Sequence, residues 1–172
     1  MYTVPKQFRK SGMLFPVLSK LSDMVGRRLR AEGLSGGTIV AFVGGVEQEG
    51  VGGSHRLGFF TSDSKEIYRE ARAMLINRFN SEDKAREFVP YIISVTVANL
   101  SLERKQVALF SYWNKRKSLL KALDKVTNKH GESSIMSAQS FLANHAIRDS
   151  VGFGRVKELN SNRRLKSLGR FK

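Results

Sequence analysis

Cysteine is absent from this chain of 172 residues, which also contains only three prolines and one tryptophan. Without cysteine, a disulfide-stapled secreted fold and a thiolate zinc finger are both excluded. The longest apolar run, residues 39–43, is far shorter than the ~20 residues that a membrane-spanning helix needs. The N-terminal residues also lack the apolar segment of a secretory signal. These absences predict a soluble, cytoplasmic protein.

Acidic residues are scarce as well, because 15 Asp and Glu stand against 30 Lys and Arg, a formal net charge of +15. The surplus is uneven: residues 1–100 carry 14 basic and 10 acidic side chains, whereas residues 101–172 carry 16 and 5. A compact chain with this charge repels itself, and a polyanion relieves the repulsion. We therefore expect nucleic acid as the first candidate partner and an anionic membrane surface as the second.

The hydrophobic pattern changes period repeatedly along the first hundred residues. Strand patterns cover residues 2–8, 38–43, 54–60 and 91–99, and helical spacing covers residues 14–29 and 67–79. This β-α-β-β-α-β order predicts an α+β, ferredoxin-like domain, with two helices on one face of a mixed four-stranded sheet. The other face stays open, since Ser94, Thr96 and Ala98 are too small and polar to build a core.

Beyond residue 100 the composition is more basic and less apolar. Helical spacing of Leu119, Leu120, Leu123 and Val126 predicts a basic helix, but the segment has too few apolar residues for a core of its own. It therefore docks on another surface or orders only in part. We predict a folded domain over residues 1–100, a linker over 101–111, a basic helical segment over 112–159 and a disordered basic tail over 160–172.

Several segments follow one another in an order that resembles a known family. They are TVPK at residues 3–6, GRRLRAEGLSGGTIV at 26–40, ISVTVANL at 93–100, QVALF at 106–110, LLKALDKVTNKHGESSIMSA at 119–138 and VGFGRVKEL at 151–159. Together they resemble the little-finger domain and the following tail of Y-family translesion DNA polymerases, the DinB and UmuC group. The resemblance covers nearly the whole chain.

The resemblance implies that the open sheet face straddles the duplex of a primer-template and meets its phosphates without regard to sequence. The candidate DNA-binding residues on or beside that face are Thr3, Lys6, Arg9, Lys10, His55, Arg56 and Thr96. An ordinary basic surface is the alternative. Arg27, Arg28 and Arg30 belong to the predicted first helix, so we expect them away from this face, solvated or against a partner domain.

Residues 106–110 (QVALF) resemble the pentapeptide through which bacterial polymerases bind the sliding clamp. In this interpretation the Gln106 amide fixes the orientation of an extended peptide, while Leu109 and Phe110 fill an apolar pocket. The alternative is that Leu109 and Phe110 pack locally against the tail.

Polymerase chemistry needs carboxylates gathered around two metal ions, and this sequence offers no such set. In the family, the Mg²⁺-dependent catalytic core lies in domains that precede this region. The resemblance therefore implies a non-catalytic, nucleoid-associated module without a cofactor of its own, which acts with a core in a longer or separate chain.

Two other functions fit the composition. An RNA-binding protein of RRM-like topology shares the element order, although HRLGFF at residues 55–60 matches only a fragment of the aromatic RRM signature. A basic structural protein that neutralises nucleic acid shares the charge. The QVALF segment favours the polymerase module, because neither alternative uses a clamp-binding peptide.

Overall fold

The structure, a computed structural model, describes residues 1–6, 9, 14–46, 50–81, 88–102, 111–131 and 134–144. Within these ranges the elements are β1 (Tyr2–Thr3), α1 (Leu14–Ala31), β2 (Leu34–Gly45), β3 (Val51–Thr61), α2 (Ser64–Ser81), β4 (Pro90–Leu102), α3 (Ser111–His130) and α4 (Ala138–Leu142). The first six follow the predicted β-α-β-β-α-β order, which confirms the α+β class. Among the described helices, none combines the length with the apolar composition that spanning a membrane requires.

The four strands form one sheet in the order β1-β4-β2-β3, and each neighbouring pair is antiparallel. The prediction of a mixed sheet is therefore wrong. β1 and β2 run in the same direction, and β4 lies between them. β3 and β4 also run in the same direction, and β2 lies between them. Glycines near the hairpin also continue the strands, since Gly52 and Gly53 pair with β2 and Gly44 and Gly45 pair with β4.

The antiparallel register sorts the strand side chains onto two faces. One face carries the buried apolar residues Ile39, Ala41, Val43, Val51, Ile93 and Val97. Both α1 and α2 cover this face, and Leu18, Ile67 and Leu75 from the two helices are fully buried in the same core. Complete burial of one such side chain contributes ~1.5–3 kcal/mol. The core therefore lies between the sheet and the helices, on one side of the sheet.

The helices α3 and α4 lie against the side of α1 that faces away from the sheet. Arg30 of α1 donates two hydrogen bonds to the Asp124 carboxylate of α3, at 2.6 and 2.8 Å. Arg116 of α3 donates two to Asp63, at 2.6 and 2.9 Å. In α4, Ser140 donates to the Asp23 carboxylate. The described part of the basic segment thus docks on the helical layer, while the predicted domain boundaries stay predictions.

Candidate nucleic-acid interface

The face of the sheet without helices is a surface of mostly small or polar side chains. The register places three rows across β3, β2 and β4: Arg56, Thr38 and Ala98; Ser54, Val40 and Thr96; Gly52, Phe42 and Ser94. Thr3 of β1 lies opposite Ile92 of β4 and so continues the same face at the sheet edge. Three of the predicted residues, Thr3, Arg56 and Thr96, therefore share one face, and all three are exposed.

The dimensions of this face suit a duplex. Three spacings between neighbouring strands amount to about 14 Å, which is slightly more than the ~12 Å width of the major groove of B-DNA. Thr3 lies on one edge strand and Arg56 on the other. A face of this width can meet the phosphates on both sides of the groove. Hydroxyl groups are able to donate hydrogen bonds to phosphate oxygens, and Arg56 adds a positive charge to the face.

Phe42 is the large side chain in the middle of this face, and it lies over glycines. A Cβ atom built on Gly50 would be 2.2 Å from the Phe42 ring, one on Gly52 would be 2.9 Å away and one on Gly44 would be 3.3 Å away. The structure shows that these glycines make room for the ring, so that bulky side chains do not build up on the open face.

The structure holds Arg9 against the first and last strands. Its Nε donates to the carbonyl oxygen of Val4 at 2.8 Å, and its guanidinium carbon lies 4.5 Å from the centre of the Tyr91 ring. The Val4 amide in turn donates to the carbonyl of Tyr91. Arg9 thus helps to hold the chain after β1 on β4, and it keeps a positive charge near the sheet edge. Lys6 nearby is exposed, and Lys10 lies outside the described residues.

His55 lies on the helix side rather than on the open face. It stands opposite Ile39, whose side chain is buried in the core. Its Nδ1 is 3.2 Å from Oε2 of Glu70 in α2. Adjacent strand residues face opposite sides of a sheet, so His55 and Arg56 cannot share one face of a regular strand. The prediction that His55 lies beside the open face is therefore wrong.

Comparison with known sequences identifies this fold. The family model described as the impB/mucB/samB family C-terminal domain matches residues 2–109. The chain belongs to this family. This match includes the whole four-stranded sheet and both covering helices, and it confirms the resemblance to the C-terminal domain of Y-family polymerases.

Two curated relatives of this family domain are DNA polymerases. The chain is 28% identical over 139 residues to DNA polymerase IV of Moorella thermoacetica, covering 80% of this chain and 34% of the relative. It is 30% identical over 145 residues to DNA polymerase IV 2 of Halalkalibacterium halodurans, covering 82% of this chain and 34% of the relative. The chain thus spans about a third of the length of each relative.

Several charged side chains on the helix side of the sheet are paired with one another. Burial by itself would raise the pKa of Asp63. The pKa is nevertheless lowered, because Asp63 accepts hydrogen bonds from Arg116 and from the Lys65 amide and lies near the charges of Arg116 and Arg30. Burial raises the pKa of Asp23, and the Ser140 hydrogen bond and nearby cations do not fully offset it. Arg30 lies away from the open face, as predicted, and is engaged with α3.

The predicted clamp-binding residues Gln106, Leu109 and Phe110 lie outside the described residues. β4 ends at Leu102 and α3 begins at Ser111, so this peptide connects the last strand to the tail helix. The two apolar residues before it, Leu100 and Leu102, are 50% and 73% exposed at the end of β4.

Proposed function

We propose that this chain is the DNA-binding module of a Y-family translesion polymerase. It holds primer-template duplex on the open face of its sheet through phosphate contacts, and it tethers the polymerase to the sliding clamp through residues 106–110. The observation that carries the DNA-binding part is the register, which brings Thr3, Arg56 and Thr96 onto one uncovered face. The proposal implies a role in translesion synthesis and DNA repair in the cytoplasm, at the nucleoid.

The composition of the strands supports a polyanionic partner. None of the four strands contains an acidic residue. The open face therefore presents hydroxyls and the positive charge of Arg56 to a duplex, and the strands contribute no carboxylate that would repel phosphate. Contacts to phosphates carry no sequence information, which suits a polymerase that must move along any template. An RRM-like protein instead stacks two or three bases on aromatic side chains, and Phe42 is the single aromatic residue in the three rows of this face.

In this proposal the module is non-catalytic and acts with a catalytic core in a longer or separate chain. The carboxylates that the structure describes on the helix side do not fit a Mg²⁺ site. Asp63 and Asp124 each accept two hydrogen bonds from an arginine, whereas Mg²⁺ requires several free oxygen ligands in octahedral geometry. No step of the proposed function passes through a metal ion held by this chain.

The DNA-binding part is tested by the salt dependence of affinity. The variant Lys6→Gln with Arg56→Gln removes the charge of Arg56 on the open face and the charge of the exposed Lys6 that follows β1, so the slope of log K against log salt should become less steep by about 2. The matched control is Lys65→Gln with Arg72→Gln, which removes two exposed charges from α2 on the helix side. Equal changes in the two double variants would show that the duplex does not bind at the open face.

The clamp-binding part is tested separately. Truncating Leu109 and Phe110 to Ala removes the two groups that would fill an apolar pocket, and anchors of this kind cost about 2 kcal/mol each. Affinity for the purified sliding clamp should therefore fall far more than tenfold, while DNA affinity stays unchanged. The control variant Leu100→Ala with Leu102→Ala truncates two exposed apolar residues of β4. Clamp binding that survives the Leu109 and Phe110 changes would mean that these residues pack locally.

A further inference from the structure

The helix α3 is held in one orientation by residues on a single side. Arg116 and Asp124 make two-bonded ion pairs with Asp63 and Arg30, and Leu120 and Thr127 are buried, each 9% exposed. These four α3 residues follow one another at intervals of four, four and three, which is the spacing of one helix face. The opposite side of α3 is consequently turned outward.

The outward side of α3 is a stripe of lysines. Lys121, Lys125 and Lys129 are spaced by four residues and are all exposed, and the middle one is turned about 140° away from the anchored side. The three Cα positions extend over about 12 Å along the helix. Asp124 is the helix's only acidic residue, and both of its oxygens accept hydrogen bonds from Arg30. The stripe therefore carries positive charge without a neighbouring carboxylate on its own helix.

This lysine stripe and the open sheet face lie on different sides of the molecule. α1 lies between α3 and the sheet, because its Leu18 and Leu29 are buried in the core while its Arg30 holds α3. The distance from the sheet to α1 and the distance from α1 to α3 are each about 10 Å, so the two surfaces are roughly 20 Å apart. Duplex DNA is stiff on the scale of tens of base pairs. A straight duplex on the open face cannot also reach the stripe.

We propose that Lys121, Lys125 and Lys129 form a second site for the DNA backbone, independent of the open face. Lysine is a compact charge that binds phosphate without a fixed geometry, and it is depleted at protein interfaces, where arginine and aromatic residues are enriched. A stripe of lysines without arginine on the outward side therefore fits a phosphate backbone better than an acidic protein surface. The module would then hold two DNA segments on opposite sides.

Chemical acetylation of lysines in the full chain, read by mass spectrometry, tests this site. With excess short duplex, labelling of Lys121, Lys125 and Lys129 should fall several-fold, while labelling of Lys65 on α2 stays unchanged. The same protection is expected in the Lys6→Gln with Arg56→Gln variant, which weakens DNA binding at the open face. The result at the stripe therefore does not depend on whether the open face binds DNA. Unchanged labelling of the three lysines at saturating duplex would overturn the second site.

The salt dependence of affinity gives a second readout. Because the two sites are independent, the slope is measured in the Lys6→Gln with Arg56→Gln background, where the remaining binding is at the stripe. Changing the three lysines to Gln should there make the slope of log K against log salt less steep by about 2.7, whereas changing them to Arg should leave it unchanged. Gln and Arg are both good helix formers, so α3 should persist in both variants. An unchanged slope in the Gln variant contradicts the proposal. Protection of the lysines by purified sliding clamp but not by duplex would make the stripe a protein interface and also overturn it.

Discussion

The docking of α3 depends on an ion pair whose removal has a predictable cost. The Arg30 guanidinium makes four hydrogen bonds: two to Asp124, at 2.6 and 2.8 Å, one to the carbonyl oxygen of Ser62, at 2.6 Å, and a longer one to the Ser64 hydroxyl, at 3.4 Å. The side chains of Arg30 and Asp124 are only 13% and 20% exposed. Fully exposed pairs contribute at most ~1 kcal/mol, and a hydrogen bond to a charged group contributes ~1.5–3 kcal/mol. Partial solvation places the coupling energy of this pair between these ranges, at about 1–2 kcal/mol.

A double-mutant cycle with Arg30→Gln and Asp124→Asn measures this coupling. The expected result is that amides of α3 exchange hydrogen about 5–30-fold faster in either single variant, with no comparable further gain in the double variant. Amides of β2 and β4 should be unaffected, because the sheet core does not include α3. The control is Arg28→Gln, which removes an exposed charge from the same helix. If α3 exchange is the same in all variants, the ion pair does not hold the helix.

Two further predictions concern stability. A Cβ on Gly26 would lie 2.3 Å from Ser64 Oγ and 3.0 Å from the Ser64 backbone, so Gly26→Ala should lower the free energy of unfolding by about 1 kcal/mol despite its better helix propensity. Gly58→Ala, whose Cβ would meet nothing within 4 Å, is the control, and an equal urea midpoint for both contradicts the close helix contact. Because the folded pKa of Asp63 is lowered, its stabilisation is complete above the ordinary value of 3.8 and is lost as the pH falls through the folded pKa. The protection of α3 amides, corrected for the intrinsic exchange rate at each pH, should accordingly fall in acid in the parent, and Asp63→Asn should lose part of this acid response.

The sequence predicts the order of the elements because burial periodicity is local. Alternation along β4 identifies Ser94 and Thr96 as one face and Ile93 and Val97 as the other, and the structure agrees. The same alternation, applied to β3, separates His55 from Arg56. The signal that places His55 on the helix side was therefore present in the sequence, and grouping the two residues as neighbours overlooked it.

Other features were not predictable from local patterns because they depend on distant contacts. The position of β4 between β1 and β2 is set by pairing across the whole domain, and the Arg30 to Asp124 pair joins residues that are 94 positions apart. The role of the glycines around Phe42 also depends on the register between β2 and β3, which brings Gly52 beside the ring. The glycine content of this segment does not by itself show which residues of β2 and β3 are paired.

The distribution of carboxylates explains how a chain of such high charge can fold and still present a cationic surface. The structure places Asp63, Glu70 and Asp124 on the helix side, where each contacts a cationic or titratable partner from another part of the fold. The strands contain no acidic residue at all. The few carboxylates therefore reduce self-repulsion where segments pack together, while the open sheet face keeps its charge uncompensated. A polyanion on that face lowers the remaining repulsion, so we expect duplex DNA to raise the unfolding temperature of the chain, with a smaller increase at higher salt.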